Sequence, residues 1–97
     1  MLEWLQQWYL NNCDGYWEHN NGVTIDTLDN PGWSIEINLA NTQLEGTEIV
    51  YTLHEIAEDN WFAYSVSNNV FKGAGDPLKL LKLIEVFKDL YDSKLEG

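Results

Sequence analysis

Asp14, Glu18 and His19 come nearest to a reactive set in this chain. Two carboxylates and an imidazole are the raw material of a metal site or of general acid–base catalysis. Their spacing argues against both. Glu18 and His19 are adjacent, so on a strand they point to opposite faces, while Asp14 and Glu18 share a face only if that strand is regular. The other histidine, His54, lies far downstream and supplies no second imidazole at ligand spacing. Cys13 stands beside the group and could act as a nucleophile with a histidine base. No glycine-rich oxyanion element accompanies it, and a single small thiol more often packs than reacts. Ser34, Ser65 and Ser67 fall in alternating patterns without a nucleophile elbow. No catalytic residue, metal ligand or cofactor is expected; a small hydrolase using Asp14, Glu18 and His19 is the enzymatic alternative.

The aromatic residues suggest a second chemistry. Tyr16, Trp17, Trp33 and Trp61 are candidates for stacking on sugar rings, which makes a small carbohydrate-binding module a further alternative. The competing role is core filling, and Trp33 fits it by alternating with Ile35 and Ile37. Aromatic residues interleaved with carboxylates also describe a protein-binding surface, in which rings anchor and charges steer.

Charge favours that third reading. The chain of 97 residues has a formal net charge of −11, and arginine is absent. All of the lysines lie at or after Lys72, opposed there by an equal number of acids, so the whole net charge resides in residues 1–71. Phosphate binding needs Lys and Arg, so nucleic acid is not expected as a partner. A basic macromolecule is, and a carboxylate-rich surface can occupy a nuclease site by standing in for phosphates. A single cysteine excludes an intrachain disulfide and favours a reducing compartment. The start, Met1-Leu2-Glu3-Trp4, lacks the basic and apolar regions of a secretion signal. No run approaches the length of a membrane span. A cytoplasmic location is expected, with no membrane contact; the oligomeric state is not fixed by sequence.

The elements that position these residues follow from periodicity. Residues 2–11 form an amphipathic helix with Leu2, Leu5 and Tyr9 on its apolar stripe, flanked by Trp4 and Trp8. Residues 16–19 and 23–28 read as two strands joined at Asn20-Asn21-Gly22, because an Asn-Gly pair suits a tight hairpin. Asp29-Asn30-Pro31-Gly32 is a turn in which Gly32 would supply positive φ. Residues 33–39 alternate Trp33, Ile35, Ile37 and Leu39 against polar neighbours, a strand with one wet face. Residues 47–56 form the next strand, with Ile49, Tyr51 and Leu53 on one side and Val50, Thr52, His54 and Ile56 on the other. After a turn at residues 58–60, residues 61–68 make a strand with Phe62, Tyr64 and Val66 together. Lys72-Gly73-Ala74-Gly75 reads as a flexible hinge, and Asp76-Pro77 as the N-cap and first residue of a helix carrying Leu80, Leu83, Ile84, Phe87, Leu90 and Tyr91. Leu95-Glu96-Gly97 is expected to fray.

The expected fold is a single domain over residues 1–97. It is α+β: an antiparallel meander sheet of about five strands, with an N-terminal and a C-terminal helix packed on it.

Nearly the whole chain resembles the immunity protein 53 family. The resemblance rests on Trp8-Tyr9, Cys13-Asp14-Gly15-Tyr16-Trp17-Glu18-His19, Gly22-Val23 with Ile25, and Thr27-Leu28-Asp29-Asn30-Pro31-Gly32-Trp33. It continues at Asn41-Thr42-Gln43-Leu44, at Asn60-Trp61, and from Phe71 through Gly73 and Gly75-Asp76-Pro77 into the leucine-rich helix. Asn41 stands where an Asp would be expected; the Trp-Glu and Pro-Gly-Trp pieces are the most specific. The family is predicted to supply immunity in bacterial polymorphic toxin systems, encoded beside a toxin gene. The resemblance therefore implies an inhibitor that binds and neutralises a cognate toxin domain, which the charge suggests is basic. The family pattern assigns no contact residue. The toxin-binding candidates are Asp14, Trp17, Glu18, Asp26, Asp29 and Glu36.

Overall fold

The alternating run that begins at Trp33 is the centre of the structure, a computed structural model that describes residues 1–96. It forms β2 (Gly32–Asn38) and pairs antiparallel with β1 (Val23–Leu28) on one side and β5 (Val70–Gly75) on the other. Next to β5 lies β4 (Asn60–Ser67), and β3 (Ile49–Ala57) forms the far edge, giving the order β1-β2-β5-β4-β3. All four pairings are antiparallel. Strands β3, β4 and β5 form a meander, and the β1–β2 hairpin joins it through β2 and β5.

The helices are α1 (Leu2–Asn12), the one-turn α2 (Trp17–Asn20) and α3 (Leu80–Glu96). Helices α1 and α3 lie on one face of the sheet, as their apolar stripes require. Phe87 of α3 is fully buried, with Trp8 of α1 at 5.0 Å and Phe71 of β5 at 5.2 Å between ring centroids. Trp4 packs edge-on against Phe87 and Tyr91. Ile35, Ile37, Leu39, Leu83 and Ile84 complete the centre of the core. Leu2 and Tyr9, expected on the apolar stripe of α1, are exposed. The other face of the sheet carries no helix.

Four expectations about the chain path are corrected. Residues 16–19 are not a strand: residues 17–20 form α2, and Asn20-Asn21-Gly22 leads from α2 into β1 rather than closing a hairpin. A tight Asn-built hairpin turn lies instead at Asn68-Asn69, where both residues have positive φ (53° and 62°) between the paired Ser67 and Val70. That is the mirror-image turn matching strand twist, and asparagine tolerates it better than other non-glycine residues. Lys72-Gly73-Ala74-Gly75 is not a hinge but most of the central strand β5. Helix α3 begins at Leu80, after an Asp76–Lys79 turn, so Asp76 and Pro77 precede the helix instead of opening it. At the other end α3 continues through Leu95 to Glu96, and Gly97 lies outside the described residues.

Gly32 is required for closeness, not for backbone conformation. Among the described residues the glycines with positive φ are Gly15 and Gly46, and Gly32 is not one of them. A Cβ at Gly32 would collide with the backbone carbonyl oxygen of Gly75 on the neighbouring strand. Backbone cannot swing aside as a side-chain tip can, so Gly32→Ala is expected to cost about 1–3 kcal/mol. Urea unfolding measures this; an alanine variant as stable as the parent would show that β2 and β5 separate freely at this end.

Candidate functional site

The sequence candidates fall into two groups. The first is the turn between α1 and α2. Asp14 Oδ1 accepts hydrogen bonds from the backbone N–H groups of Tyr16 and Trp17, both at 2.9 Å. Glu18 reaches back, its two carboxylate oxygens accepting from the N–H groups of Asp14 at 3.0 Å and Gly15 at 2.9 Å. This is the reciprocal logic of a capping box, and it opens α2. Each carboxylate therefore has a structural task that the sequence did not reveal.

These bonds also set the electrostatics. The N–H groups of Trp17 and Tyr16 hold the Asp14 carboxyl below its ordinary range. Glu18 is lowered as well, first by its own backbone N–H and then by those of Asp14 and Gly15. A carboxyl group held low carries no proton at neutral pH, the reverse of what a general acid needs. His19 is exposed, and Cys13 is half-buried with its thiol donating to the Tyr9 carbonyl at 3.3 Å. Among the described residues, no three His, Cys, Asp or Glu side chains gather as a metal site would require.

Trp17 is the product of this turn. It is 4 % exposed, packs against Trp8 and Tyr9, and donates its indole N–H to the Ala40 carbonyl at 2.8 Å. As a proposed contact residue it is corrected by burial: its ring lies inside the molecule, where it offers a partner no surface. Trp33 and Trp61 are half-buried, and the Trp33 indole donates to the Pro77 carbonyl. Only Tyr16 of the sugar-stacking candidates is fully exposed.

The second group is Asp26, Asp29 and Glu36. Asp26 faces Ser34, and Thr24 faces Glu36, in the β1–β2 register, so Asp26 and Glu36 project as diagonal neighbours from the helix-free face. Asp29 lies in the turn between the two strands. All three are exposed. Lys72 on β5 stands directly opposite Glu36 in the β2–β5 register. Strand pairing thus brings a lysine from far along the chain beside one of these acids. The two ion pairs formed among the described residues lie elsewhere, Lys79–Asp76 and Lys88–Asp92, each at 2.8 Å.

Two surface features were not apparent from sequence. One is the exposed apolar character of β3. The ladder between β3 and β4 shifts register between Ile49 and Thr52 and again between Glu55 and Ala57. A shift of one residue moves side chains to the other face. Ile49 therefore packs toward the core beside His54's side of the strand, separated from Tyr51 and Leu53, with which it was expected to share a face. The other feature is a groove of about 360 Å³ between β3–β4 and α3, lined in part by His54, Phe62, Tyr64, Lys82 and Leu90. Its rings lie nearly parallel, with His54 and Phe62 at 4.6 Å, and Lys82 Nζ sits 5.4 Å from the Phe62 centroid.

No described helix is long and apolar enough to cross a membrane. In comparison with known proteins, residues 2–92 match the family described as Immunity protein 53. No curated protein and no solved structure matches the chain. The match extends from α1 nearly to the end of α3 and includes both groups of acids. The chain therefore belongs to the immunity protein 53 family, whose role is immunity, with a cognate toxin as the implied partner.

Proposed function

We propose that the chain neutralises its toxin by binding alone, without catalysis, and that its acidic surface draws in a basic toxin domain. The observation that carries this reading is a large net negative charge with exposed carboxylates, of which only Glu36 has a lysine, Lys72, opposite it. The net charge is −11, and Asp26, Asp29 and Glu36 are exposed and outside the Lys79–Asp76 and Lys88–Asp92 ion pairs. A field of this sign raises the encounter rate with a cationic partner by roughly 10 to 10³ at low salt. The non-catalytic part is supported by Asp14 Oδ1 and both Glu18 carboxylate oxygens, which are occupied by backbone N–H groups. A cytoplasmic site of action fits the free thiol of Cys13.

The partner to test is the cognate toxin domain that the family implies, sought in the adjacent gene. Raising NaCl from about 50 to 500 mM is expected to slow association by roughly tenfold or more. At low salt, Asp26→Lys with Glu36→Lys is expected to slow it several-fold while lowering the melting temperature only slightly, since the Glu36 change sets a second lysine opposite Lys72. Stopped-flow mixing reads both. Absence of binding would sink the reading; association indifferent to salt and to charge reversal would remove its electrostatic part.

A further inference from the structure

We propose that β3 is a docking edge, to which an extended segment of the toxin domain adds as a sixth strand. The segment is apolar at its centre and bears lysine or arginine at its ends. This rests on the toxin-binding proposal and assigns it a place on the molecule.

An edge strand presents unpaired backbone N–H and C=O groups, and proteins ordinarily protect it with brevity, lysine, proline or a charged bulge. Strand β3 has few of these protections. It is nine residues long, without lysine or proline. It does contain bulges, but the residues at the register shifts are apolar. Val50 and Tyr51 lie in the first and Ile56 in the second. They are 84 %, 67 % and 83 % exposed. The strand thus combines free backbone with large apolar side chains, the two things β-strand addition uses for affinity and for specificity.

The helix-side groove gives the added strand a place to anchor. His54 of β3 lines it, with Phe62 and Tyr64 of β4 alongside. A strand paired to β3 would run about 4.8 Å beyond it. Its inward side chains would therefore lie along the open side of the groove, against the flat stack of rings.

Charge selects the occupant. Glu48, Glu55, Glu58 and Asp59 lie on or beside β3, and no lysine lies on the strand or in the turns that flank it. In a two-fold antiparallel pairing with a second copy of this chain, Glu48 of one copy would approach Glu58 and Asp59 of the other. Like charges opposed across strands destabilise the pair. A segment with cationic ends reverses the sign of every one of these contacts.

The test uses the full chain and the adjacent-gene toxin domain. Val50→Gln with Ile56→Gln removes apolar contact at two exposed positions and leaves net charge unchanged. The dissociation rate is expected to rise by roughly 10- to 100-fold, with association little altered. Hydrogen exchange is expected to show those amides of residues 49–57 that face away from β4 slowed at least tenfold in the complex. A complex that forms while those amides exchange as in the free chain, or a double variant that dissociates at the parent rate, overturns the docking edge and leaves toxin binding standing. No complex with the parent chain overturns both. Protection of those outward-facing amides in the isolated chain, together with a dimer on sedimentation, overturns the choice of occupant.

Discussion

Replacing Trp17 by alanine is expected to lower the stability of the folded chain by about 3–5 kcal/mol. The side chain is 4 % exposed, with the rings of Trp8 and Tyr9 each at 5.9 Å from its own. Truncation opens a cavity beside α1 and leaves the Ala40 carbonyl without the indole N–H it now accepts at 2.8 Å. Trp17→Phe keeps much of the packing and loses the hydrogen bond, for which about 1–2 kcal/mol is expected. Guanidinium unfolding separates the two variants. An alanine variant within about 1 kcal/mol of the parent would contradict a packing role for the ring. The Ala40 contact also links separate pieces of the family pattern. Thr42 holds the loop after β2 by donating to the Leu39 carbonyl and accepting from the Leu44 N–H, and Leu44 is fully buried. Trp17 and the Thr-x-Leu motif thus fasten the same corner of the core.

What sequence reveals depends on how far away the deciding contact lies. Strand β2 and helix α3 are legible because their periodicity is a local property, and nearly every residue expected on their buried stripes packs into the core. The region before β1 misleads because aromatic residues followed by Asn-Gly imitate a hairpin. What decides it is the exchange of hydrogen bonds between Asp14 and Glu18, which starts a helical turn. Strand β5 is hidden by its glycines, whose reason is tertiary. A Cβ at Gly73 would meet Ile35 at 3.0 Å and Leu83 at 3.1 Å, so the residue is small because α3 presses on the sheet there. The candidate acids divide the same way. Asp26 and Glu36 emerge on one face because strand alternation is legible, whereas the apolar edge of β3 depends on two bulges that leave no local mark.

On the proposed reading, the acids and the edge act on different steps of association. Exposed rim charges change mainly the rate of encounter, while desolvated apolar contacts change mainly the rate of escape. The acidic β1–β2 side and the apolar β3 edge lie at opposite margins of one sheet. Charge reversal at Asp26 and Glu36 and polar substitution at Val50 and Ile56 should therefore divide cleanly between association and dissociation. A toxin that loses both rates equally with either pair would indicate that the two margins do not work separately.

Asp76→Asn is expected to lower the melting temperature by roughly 10 °C or more at pH 7, and the gap should close in acid. Asp76 is 1 % exposed and holds three donors: Trp61 N–H at 2.9 Å, Leu78 N–H at 2.8 Å and Lys79 Nζ at 2.8 Å. It thereby ties the start of β4 to the turn that launches α3, while its own N–H donates to the Trp61 carbonyl. The Lys79 ammonium is the main cause holding the carboxyl at about 2 instead of its usual 3.8, aided by the Leu78 and Trp61 N–H groups against the effect of burial. A carboxyl group lowered by folding stabilises the native state fully above its unfolded value, and that contribution is lost as pH falls through the folded value. The parent's advantage over Asp76→Asn should therefore be complete near neutrality, shrink below about pH 4, and be nearly gone at about pH 2. Asp14 and Glu18 are also lowered, but they are present in both proteins, so their acid sensitivity largely cancels in the difference. Thermal unfolding followed by circular dichroism from pH 7 to 2 measures the gap. If it is the same at both ends, the ionised carboxylate is not what holds β4 to α3.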